Sequence, residues 1–190
     1  MGMPAQTTEW TAEMARALPD DGRRYEVLDG ELFVTQAPGW AHQAVLARLF
    51  ALIHPYVEKH SLGWTRWSPA DIEFSPRRLV QPDLFVVPDT GGGEPGSWEQ
   101  VTTLLLVVEA TSPSTARADR TKKLKIYRDE RIPEYWILDV HGHVVERWRP
   151  DEERPEILAT TLVWQPEPSI EPLTIQVPDL FVRNAEGRDD

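Results

Sequence analysis

Cysteine is absent from the 190-residue chain, which excludes disulfides, thiolate zinc sites and cysteine nucleophiles together. Long apolar runs are missing as well. The longest, Leu104 to Val108, is far short of the roughly 20 residues a membrane helix needs. Met1 to Trp10 has neither the basic nor the apolar segment of a secretory signal. Positive charge is scarce, with 20 Lys and Arg against 31 Asp and Glu, a net −11. That sign argues against a general nucleic-acid coat protein, which is usually basic. These absences point to a soluble, cytoplasmic chain with no membrane partner. Its length suits a single domain over 1–190, able to bury a core without staples.

The patterning that is present predicts an α/β (α+β) fold. Thr8 to Leu18 reads as a short helix stopped by Pro19. Strands at Tyr25 to Val27 and Glu31 to Thr35 flank Asp29-Gly30, a hairpin signal. Val45, Leu49, Leu52, Ile53 and Tyr56 recur at helical spacing between Ala41 and His60, and Pro55 is expected to kink or end that helix early. Gly63 to Trp67, Ala70 to Phe74 and Val80 to Val87 read as strands, the last starting in earnest at Asp83, after Pro82. Thr103 to Ala110 is continuously apolar up to Glu109, the pattern of a strand buried on both faces. Ser114 or Thr115 can cap a helix from Ala116 to Glu130. Glu134 to Val140 and His143 to Arg149 are strands, and 151–190 is a β extension and tail beyond a core of about 20–150. Such an order is satisfied by a central mixed β-sheet flanked by helices.

Asp83 starts one strand and Glu109 ends another. A carboxylate at the end of so apolar a run needs a cation, a donor or a proton. Two carboxylates converging from neighbouring strands suit a hard divalent ion. Asp119, Lys123 and Tyr127 follow at i, i+4 and i+8, along one helix face. There a lysine could stabilise negative charge developing on a phosphate. Seven cations lie between Arg117 and Arg131 against Asp119, Asp129 and Glu130. They form either a solvated face or a patch for a nucleic-acid backbone, through Arg117, Arg120, Lys122 and Lys125.

Five ordered blocks carry a family resemblance: Tyr25 to Leu32, Gln81 to Leu84, Val107 to Thr115, Asp119-x-x-x-Lys123-x-x-x-Tyr127, and Pro133 to Asp139. Together they resemble the Uma-two family of restriction-endonuclease-like proteins, within the PD-(D/E)XK nuclease superfamily. The resemblance implies a restriction-endonuclease-like core and an endonuclease acting on DNA with Mg²⁺ or Mn²⁺. It implies Asp83, Glu109 and Lys123 as catalytic residues and Asp83, Glu109 and Glu26 as metal ligands. Thr111 stands where the superfamily triplet has lysine, so Lys123 is its helix-borne replacement. The alternative is a catalytically inactive module with the same fold, active in binding or assembly as a homodimer.

Each candidate has a rival. Glu31 competes with Glu26, and Lys122 and Lys125 with Lys123, although neither lies on the Asp119–Tyr127 face. His42, Asp119 and Tyr127 are expected to line the site. Pro178-Asp179 repeats Pro82-Asp83 but lacks a second carboxylate strand after it and reads as a terminal turn. His141 and His143 are expected to be exposed, and two histidines without a third ligand make a poor zinc site.

Overall fold

The computed structural model describes residues 9–111 and 115–181. Thr8 at the start of the expected first helix, Ser114 as an expected cap and the expected tail after Phe181 lie outside them. Helix α1 is Ala12–Arg16, capped by Thr11, whose side chain accepts from the Met14 amide. Strands β1 (Arg24–Leu28) and β2 (Glu31–Thr35) pair antiparallel around a turn with positive φ at Asp29 and Gly30. Asp-Gly is the sequence such a turn demands.

Helix α2 runs from Trp40 to Lys59, straight through Pro55, contrary to the expected early end. Its last turns are held from one side. Ile53, Tyr56 and Val57 are buried, and the Tyr56 hydroxyl donates to the Glu171 carbonyl at 2.6 Å. Leu52, by contrast, faces outward. Interior proline still costs about 3 kcal/mol against alanine, offset in part by the stiffer unfolded chain. Pro55→Ala is therefore expected to raise stability by about 2 kcal/mol, read as a higher denaturant midpoint with an unchanged slope.

Two sheets follow. The larger is mixed and six-stranded, in the order β10-β9-β8-β7-β6-β3. It comprises β3 (Gly63–Trp67), β6 (Leu84–Pro88), β7 (Leu106–Thr111), β8 (Glu134–Asp139), β9 (Val144–Trp148) and β10 (Glu156–Leu158). Only β7 and β8 pair parallel, joined through a helical crossover. At Gly63 an added Cβ would lie 2.0 Å from the Val87 carbonyl oxygen, so the close approach of β3 to β6 requires glycine. The smaller sheet is antiparallel, β2-β1-β5-β4, with β4 Ile72–Ser75 and β5 Arg78–Val80. The expected single strand over Val80 to Val87 is thus two strands in two sheets. Gln81-Pro82-Asp83 is the passage between them, as a residue without an amide proton dictates.

Helix α3 spans 116–129, and its middle, Asp119–Lys123, is a π-helical turn. Strands β11 (Thr161–Trp164) and β12 (Leu173–Gln176) form a separate pair. The terminal turn expected at Pro178-Asp179 is instead a short helix, α4 (Val177–Phe181), anchored by buried Val177 and Leu180. Among the described residues no helix is long and apolar enough to cross a membrane.

Strand alternation divides the interior. Leu84, Val86, Leu106, Val108 and Ala110 pack on the Val45, Leu49, Ile53 and Val57 face of α2. Phe85, Val107 and Ile137 point the other way, into a core shared with Leu28, Ile72, Val80, Leu124 and Tyr127. By the same period of two, Asp83 and Glu109 fall on that second side, toward the smaller sheet and α3.

Candidate active site

Four segments distant in sequence deliver acidic groups to one place. Antiparallel β6 and β7 pair Leu84 with Val108, so one further step sets Asp83 opposite Glu109. Glu26 alternates with Tyr25 and Val27 on β1 and shares the inward side of Leu28. Asp119 and Lys123 lie on the π-turn, a feature often found at functional sites. All five are nearly inaccessible: Glu26 and Asp119 are 1% exposed, and Asp83, Glu109 and Lys123 3%.

Lys123 is the hub. Its Nζ lies 3.0 Å from Glu109 Oε1, 3.0 Å from Glu26 Oε1 and 3.7 Å from Asp119 Oδ1. The Tyr127 hydroxyl donates to the same Glu109 oxygen at 3.0 Å. Glu26 Oε1 also accepts from the Gln81 amide at 2.9 Å. Asp83 is held separately. Arg24 donates to its Oδ1 at 2.6 Å, while His42 Nε2, at 2.9 Å, and the Ala110 amide, at 2.9 Å, meet Oδ2. Thr111, in place of the triplet lysine, turns its hydroxyl to the Leu138 carbonyl.

The expected trio and Glu26, His42, Asp119 and Tyr127 are therefore brought together. Their rivals are not. Glu31 is exposed and pairs with Lys122, and Lys125 pairs with Asp29 and Asp129. Arg120 binds Asp139 and Glu146. Three of the four proposed backbone-contacting cations thus already face carboxylates, and Arg117 is exposed at the start of α3. His141, His143 and Asp179 are exposed, away from the acidic cluster. Arg24 went unnoticed in the sequence. The available signal was its i, i+2 relation to Glu26, which puts both on one side of β1.

Glu26, Asp83, Glu109 and Asp119 are four acidic groups facing two permanent cations, Lys123 and Arg24, so their full ionisation would leave the charge unbalanced. Burial works against Asp83, yet the His42 hydrogen bond and charge, Arg24 and Lys123 hold its pKa at about 2. Burial drives Glu109 well above the carboxylate range; Asp83, Asp119 and Glu26 add to the rise and Lys123 opposes it. Asp119 is pushed up to about 6, first by burial and then by Glu26 and Asp83, against the pull of Lys123 and Thr115. Burial alone would lower Lys123, but Glu109, Glu26, Asp119 and Asp83 reverse this and raise it well above its ordinary value. Lys123 is consequently a fixed ammonium, unable to serve as a general base. Asp119 Oδ1 is shielded from solvent and has no hydrogen-bond partner.

Residues 12–186 match the Uma2 family, described as "Putative restriction endonuclease". The chain belongs to that family. Its fold is also similar to that of a solved structure described as "a putative nuclease belonging to DUF820 from Anabaena variabilis ATCC 29413". The TM-score is 0.69 at 19% identity, covering 90% of this chain and 97% of that one. No curated protein matches the chain. The mixed sheet with its flanking helices is thus a nuclease-type Uma2 fold, with the acidic cluster where β6 begins and β7 ends.

Hard carboxylate oxygens, in greater number than the cations beside them, are the donor type a hard divalent cation takes. Among the described residues no three acidic or histidine side chains form a ready cage.

Proposed function

We propose that this Uma2 protein is a divalent-metal-dependent endonuclease that hydrolyses DNA phosphodiester bonds. What supports the reading is the clustering of Asp83, just before β6, Glu109 on β7 and Lys123 on α3 at a site with more acidic groups than cations. Asp83 and Glu109 would hold the metal, with Glu26 as the third acidic group. A bound ion supplies polarisation of the phosphoryl oxygen and acidification of a water. Lys123 stays protonated and stabilises negative charge as it grows on the phosphate. Tyr127 fixes one Glu109 oxygen, and His42 and the Ala110 amide orient the Asp83 carboxylate. Arg24 brings a second cation to the Asp83 side.

A specific observation supports the other reading, an inactive nuclease-fold module. Both Asp83 oxygens already have protein partners, and Lys123 occupies the point where three carboxylates meet. Calorimetry with Mg²⁺ and Mn²⁺, paired with cleavage of supercoiled and single-stranded DNA, separates the two. The endonuclease reading predicts divalent binding at micromolar to millimolar concentrations and metal-dependent nicking. Neither binding nor nicking would leave the module.

A further inference from the structure

A cavity of about 250 Å³ opens against the same Asp83, between α2 and the end of β3. Arg24, Gln43, Phe50, Trp67 and Ser68 line it with Asp83. We propose that it receives one unpaired nucleobase of the strand being cut, so that the substrate is single-stranded or splayed DNA. The proposal rests on the endonuclease reading for what lies beside the base.

Trp67 is the first argument. It is 57% exposed, yet it is not loose. Phe50 meets it edge-on, with ring centroids 4.9 Å apart at 78°. A braced, uncovered indole is a stacking platform for any base. A polar group is the second. Gln43, exposed at the rim, has an amide that both donates and accepts, as a base edge requires. Position is the third. Arg24 belongs to the cavity wall and donates to Asp83, and the Ser68 amide donates to the Asp83 carbonyl at 3.1 Å. A base seated on Trp67 therefore puts its own phosphate next to the acidic cluster.

Charge favours a strand that can also stack over a duplex that cannot. Duplex binding draws its affinity from cations that neutralise phosphates. This chain carries −11, and Arg120, Lys122 and Lys125 are committed to carboxylates. Stacking on an aromatic ring adds affinity that is independent of charge and tolerates any sequence.

The test is binding of a short fluorescein-labelled oligonucleotide, followed by anisotropy with Mg²⁺ in a Glu109→Gln background that prevents turnover. Trp67→Ala is expected to weaken single-strand binding roughly 10- to 100-fold, and Trp67→Tyr to restore most of it. Abasic sites in the oligonucleotide should weaken binding to the parent protein but have little further effect on Trp67→Ala. Equal affinity of parent and Trp67→Ala, equal affinity for single strand and duplex, or no binding at all would overturn the proposal. The two readings fail separately. Trp67-dependent binding without cleavage by the unmutated protein removes the endonuclease and keeps the base site. Cleavage of single strands that ignores Trp67→Ala removes the base site and keeps the endonuclease.

Discussion

Asp83→Asn and Glu109→Gln are each expected to abolish metal-supported DNA cleavage, but only Asp83→Asn is expected to lower stability. Either substitution removes a negative oxygen from the metal's surroundings, and the loss of rate should exceed the roughly 10- to 100-fold typical of outer-shell partners. Stability divides them. Asp83 is held at about 2, so its charge is favourable in the folded chain, with Arg24 and His42 waiting for it. Neutral Asn forfeits that interaction, at a cost of about 2 kcal/mol. Glu109 is raised by burial and by its acidic neighbours, so its charge is unfavourable despite Lys123. Neutral Gln keeps the shape, relieves repulsion and leaves stability unchanged or higher. Nicking assays paired with thermal unfolding check both halves. Equal nicking by either variant and the parent would remove these carboxylates from the chemistry.

Lys123→Met gives the largest expected loss of stability. A buried cation whose removal strands charged partners is worth roughly 3–5 kcal/mol. At this chain length that lowers the melting temperature by about 6–20 °C. Glu26, Glu109 and Asp119 then share a dry space with no ammonium among them. Adding Glu109→Gln to Lys123→Met should recover part of the loss, because it deletes one of the repelling charges. Their double-mutant cycle should therefore show strong coupling.

The pH dependence follows from the raised groups. Asp119 has a folded pKa of about 6, above the value near 4 of an unfolded aspartate. Its contribution to stability is complete below about pH 4 and is lost as pH rises through about 6. Lys123→Met extends that sensitivity, so acid should rescue it more than it helps the parent. A divalent ion acts oppositely, binding the carboxylate form and stabilising it in proportion to occupancy. Mg²⁺ or Mn²⁺ should therefore raise the melting temperature more at pH 7.5 than at pH 5, and titrations at both values measure this.

Much of the site is legible in the residues because it depends on short-range periodicity. Asp83 after a proline and Glu109 at the end of an apolar run are positions that strand chemistry makes conspicuous. Asp119, Lys123 and Tyr127 share a helix face, and all three are buried. What the sequence hides is tertiary. Nothing local announces that Gln81-Pro82-Asp83 passes between two sheets, nor that the helix widens into a π-turn at Asp119. Pro55 signals a break that the buried Ile53, Tyr56 and Val57 override. Arg24 escapes notice because its importance lies in Asp83, 59 positions away. The cationic run between Arg117 and Arg131 reads equally as a solvated face or a nucleic-acid patch until the acidic partners of Arg120, Lys122 and Lys125 appear.

The account depends most on where a metal binds. A crystal of the protein grown with Mn²⁺ and measured at the manganese absorption edge locates the ion directly. The account predicts one strong anomalous peak within coordinating distance of Asp83 and Glu109, abolished by Asp83→Asn. A cluster with no manganese at saturating concentration, or an ion bound only elsewhere, would contradict it.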